Sequence, residues 1–313
     1  MRSLVRIGLV GFAACTNAAS GDDGPPDPPP DDVPRTCIAT ITGGGSDERV
    51  EAELSSADHP TVMEQTRDGK MTLRWTYAYD DVGRLITENH DYASAGTATM
   101  PDGVIDLVVT VEHTPTSAIQ RFGLGETATS TLDANERVVR YEGGGLRTFQ
   151  LNAAGLIEQE HVEGIDPDVG TPFSYTTQYT YDANGRLLTT GDLGSATPTV
   201  YEHDVTAERM IIRRKVSGVT RSIFTYTYDS SGRTISAEVD DDANGTTNWR
   251  TDITYGADGS VTTTGSRDGN PGRVNTMSAG CGYVVTMPQL PLAWKRPTAQ
   301  WHFFTPAMPN AYE

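Results

Sequence analysis

The sequence predicts an all-β protein, an antiparallel meander of hairpins or a sheet coiled into a spiral. Three observations carry this. Glycine supplies 32 of 313 residues, and threonine is abundant, a pairing that favours strands and tight turns over helices. Hydrophobic residues make up 36 % with tyrosine included, enough for thin, half-exposed layers rather than a thick α/β interior. Most informative is a recurring turn: TYAYDDVGRL at 76–85, YTYDANGRLL at 179–188 and YTYDSSGRTI at 226–235. Degenerate copies are TSTLDANERV at 129–138, TFQLNAAGLI at 148–157 and DITYGADGSV at 252–261.

Each copy reads as a hairpin. Asp80 opens a type I turn, because its carboxylate accepts a backbone N–H two residues on. Gly83 takes the left-handed conformation that the following bulge requires. The predicted register sets Tyr79 opposite Leu85 and Tyr77 opposite Thr87, with Tyr77, Tyr79 and Leu85 on one face. The second copy sets Tyr181 opposite Leu187, and the third, weaker one sets Tyr228 opposite Thr234. Slipping the register by one would place Tyr79 against Arg84. In the copy at 133–136, Glu136 replaces the glycine and is expected to strain the turn.

A second, acidic turn alternates with the first: DDDANGT at 240–246, DPDVGT at 166–171 and, more loosely, MPDGVID at 100–106. The resulting order is a meander with one turn type at each edge. Tyr79-Asp80…Gly83-Arg84, Tyr181-Asp182…Gly185-Arg186 and Tyr228-Asp229…Gly232-Arg233 resemble the YD repeats of the RHS family, over roughly residues 70–265. The resemblance implies β-sheets that spiral into shells, with surface contact or carbohydrate binding among the family's tasks. A chain this short is expected to lack the repeats that close a large cocoon, and no segment matches the family's C-terminal autoproteolytic region.

The ends have their own logic. Residues 1–14 read as an export signal, with Arg2 and Arg6 before a short apolar stretch. GFAAC then resembles the lipobox of bacterial lipoproteins, which implies a lipid on Cys15; an ordinary signal peptide cut after Ala18 or Ala19 is the alternative. Residues 15–36, rich in proline and aspartate, form a disordered tether. The YD-repeat domain spans 37–281. Residues 282–313, with Trp294, Trp301, Phe303 and Phe304 among prolines, form a cap or a loose tail. With Cys15 lipidated, Cys37 and Cys281 remain, and in an oxidising compartment they are expected to pair; two thiols that never meet is the plain alternative.

The formal charge is −18, which argues against nucleic acid as a partner and leaves the membrane reachable only through the lipid anchor. Past the leader no apolar run approaches the length of a membrane helix. Asp240, Asp242 and Asn244 match the start of a calcium loop. Thr251 stands where an EF-hand needs glutamate, so the choice lies between a turn-type calcium site and a solvated acidic turn. No other cofactor is indicated. The histidines show no metal-ligand spacing, and no catalytic constellation rises above the background of an acidic chain. Tyr77, Tyr79, Tyr179, Tyr181, Tyr226 and Tyr228 should align in a ladder, as glue between hairpins or as a sugar-stacking surface. Arg213, Arg214 and Lys215 should alternate out of a strand and pair with acids.

The expectation is a non-enzymatic cell-surface scaffold or adhesion module that binds a protein or a glycan. Its place would be the outer membrane or surface of a Gram-negative bacterium, with periplasmic or secreted as the alternative. The competing reading is a secreted hydrolase or polysaccharide-processing protein. A deep pocket with two close carboxylates would favour the enzyme; exposed aromatics would favour the binding module.

Overall fold

The computed structural model describes residues 35–278, apart from 44–46, 56–58, 93–100 and positions 124, 136 and 167. Cys15, the tether, Cys281, residues 282–313 and Glu136 with its expected strained turn lie outside the described residues.

The described residues form twenty antiparallel strands. The first ten are β1 (Arg35–Thr42), β2 (Glu48–Leu54), β3 (Pro60–Arg67), β4 (Lys70–Tyr79), β5 (Leu85–Tyr92), β6 (Leu107–Thr114), β7 (Ser117–Phe122), β8 (Thr127–Leu132), β9 (Val138–Glu142) and β10 (Leu146–Leu151). The others are β11 (Ile157–Ile165), β12 (Pro172–Tyr181), β13 (Leu187–Asp192), β14 (Thr199–Val205), β15 (Arg209–Val216), β16 (Val219–Tyr228), β17 (Thr234–Asp240), β18 (Trp249–Tyr255), β19 (Val261–Arg267) and β20 (Asn270–Met277). Each strand pairs with the next, and β1 pairs with β20 through Ala39↔Met277, Thr40↔Thr276, Ile41↔Asn275 and Thr42↔Val274.

The sheet is therefore a closed barrel, which corrects the expected open meander or spiral. The hairpins form as the repeats specify, but the two ends do not stay free. Each would present a row of unpaired N–H and C=O groups, and joining them removes both edges. Ser278 fastens the seam: its N–H donates to the Ile38 carbonyl (2.9 Å) and its hydroxyl accepts from the Ile38 N–H (2.9 Å).

The YD hairpins hold the bulged register. Tyr79 faces Leu85, Tyr181 faces Leu187 and Tyr228 faces Thr234. One pairing differs from expectation: Tyr77 faces Glu88, not Thr87. Ile86 is the extra residue of the bulge, so every pair beyond it moves along by one. Gly83 and Gly185 have φ of +80° and +77°. All six YD-type turns lie on one rim, where the chain also enters at β1 and leaves at β20. The acidic turns lie on the opposite rim.

Apolar side chains point inward. One cluster joins β1 to β7 with β20, around Leu54, Met63, Trp75, Tyr77 and Leu85. A second joins β13 to β17, around Leu187, Ile212, Phe224 and Tyr226. A round barrel of twenty strands would enclose a lumen on the order of 30 Å across. Side chains such as Ile212 and Tyr226 are wholly buried, so the interior at these levels is filled rather than an open pore.

The exterior carries many charged and polar side chains beside exposed aliphatic ones such as Ile86, Val108 and Leu188. Glu64–Arg74 (3.4 Å), Glu112–Arg121 (3.1 Å) and Glu202–Lys215 bridge neighbouring strands on the outer face, among many threonines. A membrane-spanning barrel turns an apolar band outward, and Arg or Lys at its midplane costs ~2–4 kcal/mol. These ion pairs are of the kind that cost least where the outer face meets water.

Candidate binding rim

The two rims differ in what they do with their aromatic side chains. On the YD rim the tyrosines are tied down. The Tyr79 hydroxyl donates to the Pro60 carbonyl (2.8 Å), that of Tyr181 to Ile157 (2.8 Å) and that of Tyr255 to Thr234 (2.9 Å). In each case the last tyrosine of one strand secures the first residue of the strand before it. Burial pushes the Tyr181 hydroxyl up to about 12, with the Glu158 carboxylate adding to the shift. Tyr77 and Tyr226 are buried in the clusters. The tyrosine ladder thus acts as glue between hairpins.

Two histidines secure the same rim in matching positions. His113 Nε2 donates to the Leu85 carbonyl (2.7 Å), and His203 Nε2 to the Leu187 carbonyl (2.7 Å). Each leucine follows a YD turn. Sequence reading treats the histidines as unconnected residues. The available signal was that one histidine stands on the strand after each of the two best YD hairpins.

The turn aspartates serve their own loops. Asp80 accepts from the backbone N–H of Arg84 (2.8 Å) and from its Nε (2.7 Å). The Arg84 N–H, then its guanidinium, hold the Asp80 carboxyl below the usual carboxylate range against some desolvation. Asp229 repeats the arrangement with Arg233. A cavity of about 320 Å³ between two YD turns includes Glu158, Tyr179, Tyr181 and Asp182 in its lining. Asp182 is already occupied by Arg186 Nε at 2.9 Å.

The calcium candidates on the acidic rim are arranged likewise. Asp240 accepts from the N–H groups of Asn244 (3.0 Å) and Gly245 (2.8 Å), and Asp242 accepts from Asn244 Nδ2 (2.7 Å). Asn244 Oδ1 accepts from the Thr246 N–H (2.7 Å). Asp91, at the end of β5, grips its own loop through Asp102 N–H (3.2 Å) and Gly103 N–H (2.8 Å). These carboxylates already have partners that stabilise them. Among the described residues no group of three or more His, Cys, Asp or Glu side chains is placed to hold a metal ion. Of the basic trio, Lys215 pairs with Glu202 on the exterior, while the register turns Arg214 inward opposite Tyr201.

Inside the barrel, Glu88 and His90 form a polar knot. His90 Nε2 meets Glu88 Oε1 at 2.7 Å, and Trp75 Nε1 donates to His90 Nδ1 at 3.2 Å. A second knot joins Glu160 to Arg147 (3.1 Å) and to the Tyr179 hydroxyl (3.1 Å). In both, buried carboxylates gain the hydrogen bonds their burial demands.

The acidic rim carries the exposed aromatics. Tyr92, Phe173, Tyr175 and Trp249 stand 40, 40, 47 and 45 % exposed. By register all four belong to the inner face, opposite Leu73, Gly164, Val162 and Val239 respectively. They line the mouth of the barrel rather than its wall. Phe173 and Tyr175 stack at 6.0 Å with 21° between their planes. The Phe173 ring lies over Gly164, where a Cβ would stand 2.7 Å from it. Beside them is a groove of about 500 Å³ lined by Leu146, Glu163, Gly164, Ile165, Pro172, Phe173 and Ser174. The Arg267 guanidinium covers one face of Trp249 at 4.4 Å.

No protein-family model and no curated protein matches the chain. Among solved structures, a porin-like protein from Bacteroides uniformis ATCC 8492 is similar over 78 % of this chain and 95 % of its own, at 13 % identity and a TM-score of 0.35. That likeness is too remote to carry an argument about function.

Proposed function

We propose that the protein is a non-enzymatic binding module of the cell surface, built from YD-type hairpins, whose acidic rim engages a protein or glycan. The observation that carries this is the gathering of half-exposed aromatic side chains at the rim opposite both chain ends of the barrel. Solvent-exposed rings at a concave mouth supply contact area at low entropic cost. A tether leaving the opposite rim for a lipid on Cys15 would hold that mouth away from the membrane. The charged exterior supports attachment through the lipid alone.

Cys37 is fully buried in β1. The pairing with Cys281 remains a proposal, supported by β20, which runs beside β1 and ends four residues before Cys281. Such a bridge would close nearly the whole domain and add about 5.5 kcal/mol on the chain-entropy model, less any native-state strain.

Three measurements test this reading. Metabolic labelling with a fatty-acid analogue should mark the wild type and not Cys15→Ala. Non-reducing peptide mapping should recover the Cys37–Cys281 fragment. Retention of the mature protein on intact cells and on a glycan array should fall in Tyr92→Ala and Trp249→Ala and persist in the YD-rim control Val82→Ala. Retention unaffected by the two aromatic changes would overturn the assignment of the acidic rim.

A further inference from the structure

Strand β12 runs ten residues, but β13 pairs only with its last five, Thr177–Tyr181. Residues 172–176 project beyond β13 toward the acidic rim. On one side they pair with β11 through Ile165↔Pro172 to His161↔Thr176. On the other side the single backbone contact among the described residues is the Leu193 N–H donating to the Thr176 carbonyl at 2.8 Å. That bond fixes the parity of the strand. Residues of even number direct their N–H and C=O toward the β13 side, those of odd number toward β11. The N–H and C=O of Ser174, the C=O of Pro172 and the N–H of Thr176 therefore face a side on which, among the described residues, no strand continues. Pro172 has no N–H to leave unpaired, as suits an edge.

Two other long strands, β16 and β4, overhang their partners at this rim. The chain after β17 continues the β17–β18 ladder, the Asn248 N–H donating to the Val239 carbonyl (2.8 Å). After β5, the Asp106 N–H extends the β5–β6 ladder by donating to the His90 carbonyl (2.9 Å). After β13 the chain turns away at once, the Ser195 N–H donating to the Asp192 carbonyl (2.9 Å). Of these three overhangs, that of β12 also bears the stacked, half-exposed Phe173 and Tyr175.

We propose that the overhang of β12 is a strand-addition edge that takes an extended, basic polypeptide segment with alternating apolar side chains. The proposal deepens the binding-module reading and rests on it. Main-chain donors and acceptors at peptide spacing supply the hydrogen bonds, while the aromatic pair supplies contact for alternate side chains. The charge of the partner follows from the surroundings. Glu163, Asp166, Asp168 and Asp192 flank the edge, and Arg147 is engaged by Glu160. A second copy of this chain, at −18, would bring like charges together. A glycan would use the rings but not the ordered row of backbone groups.

The test uses the mature protein and a fluorescein-labelled heptapeptide alternating valine with lysine and threonine, followed by anisotropy. Saturable binding is expected. It should weaken at least tenfold when the peptide is N-methylated on the backbone nitrogens of one face, and again in Ser174→Pro. Ser174→Pro should leave the melting temperature almost unchanged, because its N–H has no partner to lose. Tyr175→Pro, whose N–H points toward β11, should lower it by several degrees. Equal binding of the methylated peptide, unchanged binding in Ser174→Pro, or no saturation by about 1 mM peptide would overturn strand addition. Dimerisation abolished by Ser174→Pro would overturn it in favour of a second copy. Binding of chitohexaose or cellohexaose lost in Trp249→Ala, without peptide binding, would overturn strand addition and leave the acidic-rim module standing.

Discussion

The YD rim and the acidic rim are made from the same residue types, tyrosine, aspartate and glycine, and put their aromatic side chains to opposite uses. On the YD rim, tyrosine hydroxyls reach carbonyls of neighbouring strands, and Asp–Arg pairs close the turns at Asp80, Asp133, Asp182 and Asp229. On the acidic rim, the aspartates grip longer loops and the aromatic rings stand open. A short, uniform turn repeats one hairpin geometry, so Tyr79, Tyr181 and Tyr255 each find the equivalent carbonyl. Turns of varied length break that regularity and leave the rings half-exposed. The difference teaches that repetition seals one end of this barrel and irregularity opens the other.

The largest effect should separate the filled interior from the open mouth. Leu187→Ala, which empties a buried site beside the YD rim, should cost about 2–5 kcal/mol in urea unfolding. Leu193→Ala, exposed on the acidic rim, should stay within about 0.5 kcal/mol. Equal costs would mean that the barrel is not filled more tightly near the YD rim.

Gly185→Val should destabilise by about 1 kcal/mol or more, because φ of +77° is strained for a β-branched residue. Gly164→Ala tests the other rim. Its Cβ would displace the Phe173 ring, and that ring has open space to move into. A small change in stability together with weakened ligand retention is expected there.

Tyr181→Phe removes the hydroxyl that donates to Ile157 and should cost about 1 kcal/mol. Tyr175→Phe should be neutral in stability, since among the described residues its hydroxyl meets no protein group. A cost at Tyr175 equal to that at Tyr181 would erase the distinction between sealed and open rims.

Acid should act on the YD rim. Asp80, Asp182 and Asp229 have depressed values in the folded state, so the unfolded chain binds more protons as pH falls. Their contribution is present above about pH 4 and is lost as pH drops through the folded values. Urea midpoints between pH 7 and pH 2 should fall on acidification, and the fall should flatten in Asp80→Asn/Asp229→Asn. An unchanged profile in that variant would place the acid sensitivity elsewhere.

The smallest effect concerns the turn at 240–246. With Asp240 and Asp242 already accepting N–H groups, calcium should raise the melting temperature no more than magnesium or equal ionic strength. A calcium-selective rise lost in Asp242→Ala would restore the cation site, since saturation at 100 times Kd is worth about 2.7 kcal/mol.

Much of this molecule was legible in the sequence because a YD turn is a local object. Its aspartate, its glycine at positive φ and its arginine lie within five residues, so hydrogen-bond chemistry and backbone sterics decide it without the rest of the chain. The bulged pairing of Tyr181 with Leu187, the placement of the two turn types on opposite edges and the all-β class all follow from that local information. Closure did not follow, because it joins Ala39 to Met277, strands that no turn connects. Nor did the candidate site. Tyr181 and Tyr175 sit on one strand and share its inner face, and neither residue's own chemistry distinguishes them. One has a carbonyl within reach of its hydroxyl and a neighbouring strand beside it; the other stands on an overhang where β13 has stopped. Burial and edge exposure depend on where the other strands end, and the tertiary structure alone decides that.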